Sequence, residues 1–113
     1  MTKTGNGTLA LSAANTLGAL TISAGKVQFV AGTTTVSALT IASGATCDFF
    51  AGTLYILKNG GGTDTIEEVN AAITANSIIL RGSNALPTNF KVTEEGAYIK
   101  VMAKLKGTMI YFQ

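Results

Sequence analysis

Apolar and polar residues alternate in short runs through the first half of the chain: Leu9 and Leu11, Leu20 and Ile22, Val27 and Phe29, Leu39 and Ile41, Cys47 and Phe49, Leu54 and Ile56. A period of two puts each pair on one face of an extended strand. The Thr and Ala between them suit the opposite, solvated face. By the same alternation Phe49 points inward and Phe50 outward. Small residues at Ala24-Gly25, Ala31-Gly32, Ser43-Gly44 and Ala51-Gly52 then turn the chain.

These runs are copies of one another. Laid at an offset of 19, "TLGALTISAG" from Thr16 matches "TVSALTIASG" from Thr35. After one added residue the match continues, Val27 to Gly32 corresponding to Cys47 to Gly52, and Gly7 to Ala13 is an earlier partial copy. A repeat of about 20 residues with two or three short strands is the size of one solenoid coil. Stacked coils set Leu20 over Leu39 and Ile22 over Ile41, each coil supplying the core its neighbour lacks. The expected fold is therefore mostly β: a short parallel β-helix followed by a small α+β cap with one helix. The core ladder is expected to be Leu20, Ile22, Val27, Phe29, Leu39, Ile41, Phe49, Leu54 and Ile56. An antiparallel sandwich of similar strands is the competing arrangement.

"GNGTLALSAANT" from Gly5 to Thr16, followed by "LTISAGKVQF", resembles the autotransporter-associated β-strand repeat of bacterial secreted passenger regions. Gly5, Gly7, Thr8, Leu9, Leu11, Ser12, Asn15 and Thr16 fit that family's pattern, while Ala13-Ala14 replaces its usual Gly-Ala and Leu17 its customary aromatic. The resemblance covers roughly the first half. It implies a parallel β-helix at the cell surface or outside the cell, and brings no shared catalytic residues.

The period changes after Gly60-Gly61-Gly62. Ile66, Val69 and Ile73 fall at helical spacing, and Thr65 followed by Glu68 is a capping-box signature, so a helix is expected from about Thr65 to Ala75. Strands are expected over 77–80, 90–93, 97–103 and 108–112, with "TEEGA" and "KLKG" as hairpin turns. This half, "TIEEVNAAI…NSIIL…NFKV", also looks like the terminal segment of some large bacterial surface proteins built from such repeats. Two regions result, 1–57 as repeats and 58–113 as helix-plus-strand cap, packed as one unit.

Composition sharpens the picture by exclusion. Charged residues make up 12% of the 113 residues, about half of the roughly 25% usual in soluble domains. Only Lys3, Lys26 and Asp48 fall before residue 58. The net charge of +2 comes without a basic run, which argues against nucleic acid as a partner. No apolar run reaches the roughly 18 residues of a membrane-spanning helix, and "MTKTGNGTLA" does not read as a signal peptide. With no His and the single Cys47, zinc and transition-metal sites are not expected, nor any cofactor.

The remaining chemistry is thin. "NGGGTDT" before a helix raises anion binding, but the phosphate-loop spacing and its Lys are missing, and Asp64, Glu67 and Glu68 oppose it. Glu67 and Glu68 diverge on a helix and Glu94 and Glu95 are expected in an exposed turn, which does not make a facing catalytic pair. Aromatic platforms for glycans are limited to Phe49, Phe50 and Tyr55 in the coils. Thr21 over Thr40 and Thr16 over Thr35 are too few for a flat ice-binding face. The expectation is a non-catalytic structural protein, extracellular or at the bacterial cell surface, assembling end to end into a fibre or filament. Thr8, Leu9 and Leu11 at the open N-terminal end are the expected self-association residues, because no element caps them. A glycan-binding adhesin fragment or a trimeric phage fibre segment are the alternatives.

Overall fold

The computed structural model describes residues 1–104. In its first 57 residues the chain runs through nine strands: β1 (Thr2–Lys3), β2 (Thr8–Leu11), β3 (Asn15–Thr16), β4 (Ala19–Ile22), β5 (Lys26–Phe29), β6 (Thr33–Val36), β7 (Ala38–Ile41), β8 (Thr46–Phe49) and β9 (Thr53–Leu57). They are dealt in turn to three sheets, so that β1-β4-β7, β2-β5-β8 and β3-β6-β9 are each parallel neighbours. The offset of the "ALTI" copies is the register of one pair, Leu20 beside Leu39 and Ile22 beside Ile41. The added residue falls at the Ala42–Ala45 turn, where the Ala45 N–H donates to the Ala42 carbonyl. Beyond it Val27 pairs with Cys47 and Phe29 with Phe49.

The remaining elements are α1 (Ile66–Thr74), β10 (Ile78–Leu80), a 3-10 turn at Pro87–Asn89, β11 (Phe90–Glu95) and β12 (Tyr98–Ala103). β10 adds in parallel to β8, whereas β12 lies antiparallel on β9 and β11 antiparallel on β12. The hairpin turn sits at Gly96-Ala97, so Glu94 and Glu95 belong to a strand rather than to a turn. The "KLKG" turn and the 108–112 strand lie outside the described residues, apart from Lys104.

α1 begins where its chemistry allows. Thr65 is the extended N-cap, its hydroxyl accepting from the Glu68 N–H at 3.1 Å. At the other end Asn76 takes φ +64, with Asn76 N–H donating to Ile73 O and Ser77 N–H to Ala72 O. This is a Schellman closure with Asn in the left-handed position.

One core joins these parts. Leu20, Ile22, Val27, Phe29, Leu39, Phe49, Leu54 and Ile56 are buried together with Val69 and Ile73 of α1 and Phe90, Ile99 and Val101 of the hairpin. Ile41 is the exception among the expected ladder residues: it is only half-buried. β7 ends its sheet, and only Leu39 gains a further neighbour, by a bridge to Gly62.

Candidate functional site

The end of the molecule formed by β1, β2 and β3 is the first candidate. Each of these strands is the last in its sheet, and among the described residues no strand pairs with its outer edge. Lys26 and Val30 donate backbone N–H groups to the Gly7 and Leu11 carbonyls. Residues 7, 9 and 11 therefore turn their backbone groups toward β5, and alternation turns those of Thr8 and Ala10 outward. In the same way the Met1 and Lys3 carbonyls accept from Thr21 and Ser23, which leaves the Thr2 groups facing out.

Thr8 is exposed, and Leu9 and Leu11 are half-buried with Leu17 against the main core. Their inner neighbours are complete: Leu9 lies beside Val27 and Leu11 beside Phe29. β2 and β3 carry no charged side chain. Lys3 folds back, its ammonium donating to the Thr4 and Gly5 carbonyls at 2.7 and 3.0 Å.

The opposite end is occupied. Thr63 N–H donates to the Leu39 carbonyl at 2.7 Å, β10 covers β8 and β12 covers β9. β10 is itself tied off, since Leu80 and Ser83 exchange two backbone hydrogen bonds of 2.9 Å. The outermost strand there, β11, exposes Lys91, Glu94 and Glu95.

A second arrangement lies on the outer face of the β6-β9-β12-β11 sheet. Tyr55 and Tyr98 stand at right angles, 82° between ring planes and 6.2 Å between centroids. The Tyr55 hydroxyl donates to Glu95 at 3.3 Å, and Lys100 lies 6.0 Å from the Tyr55 ring centre and 3.6 Å from Glu95. Lys58 pairs with Glu94 at 3.2 Å. Tyr98 was not legible as Tyr55's neighbour, because their contact depends on the antiparallel return of β12. Phe49 is buried and Phe50 half-buried.

Asp48 departs from the alternation. It stands between two inward residues and should face solvent, yet it is fully buried. The 81–83 turn folds over it: Arg81 at φ +48 and Gly82 at φ +80 let the Gly82 N–H donate to Oδ1 at 3.0 Å. Its other oxygen, Oδ2, has no hydrogen-bond partner and lies 3.6 Å from the Lys26 ammonium, which is itself 31% exposed.

The glycine-rich loop before α1 is filled by the chain's own carboxylates. Asp64 accepts from the Gly61 N–H, and Glu68 accepts from the Asp64 N–H, both at 3.0 Å. Glu68 first, and then the Gly61 N–H, hold the Asp64 carboxyl below its ordinary range. Cys47 is fully buried; burial, and after it the charge of Asp48, push its thiol far up. Among the described residues no cluster of three or more His, Cys, Asp or Glu side chains forms. Comparison with protein-family models, with curated proteins and with solved structures finds no match for this chain.

Proposed function

We propose that the chain is a non-catalytic structural protein of the bacterial cell surface or extracellular matrix that self-associates through the end formed by β1, β2 and β3. Its three sheets, in which β1 to β9 pair in parallel and are visited in the same order by successive coils, are read as the faces of a short β-solenoid with an α+β cap. The resemblance of Gly5 to Thr16 to autotransporter-associated repeats supports the extracellular setting. The observation that carries the proposal is the asymmetry of the ends among the described residues: β1, β2 and β3 have no partner on their outer edges, while at the other end β10 and β12 cover β8 and β9 and Gly62 bridges β7 at Leu39. Uncovered edges with little charge pair with other strands. Light scattering and electron microscopy of the full chain over a range of concentrations test this. Association that rises with concentration is expected, and single 11.6 kDa particles throughout contradict it.

The Tyr55–Tyr98 corner favours a second reading, glycan binding, because sugar rings stack on aromatic faces while Glu95 and Lys100 bond their hydroxyls. On a glycan array the chain should then give a specific signal that both Tyr55→Ala and Tyr98→Ala abolish. No signal, or one insensitive to both changes, removes this reading.

A further inference from the structure

A neighbour added head to tail has to lay its β1, β2 and β3 along β7, β8 and β9. Among the described residues the outer edges of β8 and β9 are taken by β10 and β12, and β7 is bridged at Leu39 by Gly62–Thr63. What remains beyond them is β10, closed on Ser83, and β11, whose Lys91, Glu94 and Glu95 are the kind of exposed charge that keeps an edge from pairing. The open end thus has no counterpart on the far side of the same molecule. It has one on an identical open end.

We propose that two copies join open end to open end about a twofold axis, giving a closed dimer in place of a filament. The inference rests on the self-association and the solenoid reading above. A twofold axis perpendicular to the solenoid axis reverses the chain direction of the second copy, so every edge pair it creates is antiparallel. With the axis passing β2 at Leu9, that strand meets itself, and β1 of each copy meets β3 of the other. The lengths allow this: β1 and β3 have two residues each, and β2 has four. Such a contact is isologous and cannot propagate.

Backbone parity then sets the register. Thr8 and Ala10 present their N–H and C=O groups outward, as the Gly7 and Leu11 bonds to coil two require. Pairing Thr8 with Ala10 of the second copy, and Ala10 with Thr8, uses all of these groups. Leu9 falls opposite Leu9 of the second copy in a non-hydrogen-bonded position, with Cα atoms about 4.5 Å apart. Leu9, Leu11 and Leu17, half-buried in one copy, gain apolar neighbours across the axis.

Sedimentation equilibrium of the full chain should give about 23 kDa, twice the 11.6 kDa of the chain, without larger species. Ala10→Pro removes an outward N–H but none of the bonds to β5, so the fold should persist by circular dichroism while dimer affinity falls at least about tenfold. Leu9→Cys should form a disulfide-linked dimer under mild oxidation, since about 4.5 Å lies within disulfide reach and the native Cys47 is buried. A monomer at every concentration overturns both the self-association and the dimer. Open polymers overturn the closed dimer and leave self-association standing. A dimer that tolerates Ala10→Pro, or a Leu9→Cys chain that does not cross-link, overturns the edge pairing.

Discussion

Phe49 is the residue on which the core converges. Its ring lies 4.9 Å from that of Phe29 on the neighbouring strand β5 and packs edge-on, at 5.5 Å, against Phe90 of the hairpin. One side chain therefore ties the repeats to the cap. Phe49→Ala should cost about 3–5 kcal/mol, read as a lower denaturation midpoint. Cys47 provides an independent readout, because its buried, protonated thiol reacts only when the chain opens, and the variant should label faster. Asp48 acts more locally. Its single good hydrogen bond holds Gly82, and Asp48→Ala should speed exchange of the Gly82 amide roughly tenfold or more. An unchanged Gly82 rate would mean that the 81–83 turn is held by the Leu80–Ser83 bonds alone.

At the scale of elements, the corners between strands decide how closely successive repeats pack. Gly32 takes φ +76, and a Cβ there would lie 2.7 Å from the Ala13 carbonyl carbon of the preceding repeat. Gly44 has φ +87 but open space around it. Both Gly→Ala changes incur backbone strain of about 1–3 kcal/mol, and Gly32→Ala should be the more destabilising of the two in urea titration. The N-terminal cap of α1 adds a local pH dependence. A carboxyl held below its ordinary value, as at Asp64, stabilises the folded cap above that value, and the contribution is lost as pH falls through the lowered one. Helicity should therefore fray in acid, and Asp64→Asn should blunt that change in circular dichroism. The helix was legible because its signals are local: Thr65, Glu68 and the spacing of Val69 and Ile73 all sit within one segment. The pairing of "ALTI" with "ALTI" was legible because parallel stacking places like residues side by side. The burial of Asp48 and the partnership of Tyr55 with Tyr98 were not, since each depends on where a distant turn or hairpin returns.

For the whole molecule, a radius of gyration of 13.3 Å is that of a compact chain of this length, about 13 Å. Repeats and cap share one core. Compactness does not make the ends alike. β10 and β12 cover the outer edges of β8 and β9 and Gly62 bridges β7 at Leu39, whereas among the described residues nothing pairs with the outer edges of β1, β2 and β3. Half-buried Leu9 and Leu11 and the outward amides of Thr8 and Ala10 are the consequence, and in the proposed dimer a second copy completes them. The most direct measurement is amide hydrogen exchange of the full chain at low and at high protein concentration. Thr8 and Ala10 should exchange freely when dilute and become protected when concentrated, while the Leu9 and Leu11 amides, turned toward β5, stay protected in both. Free exchange of Thr8 and Ala10 at every concentration would contradict pairing through this end.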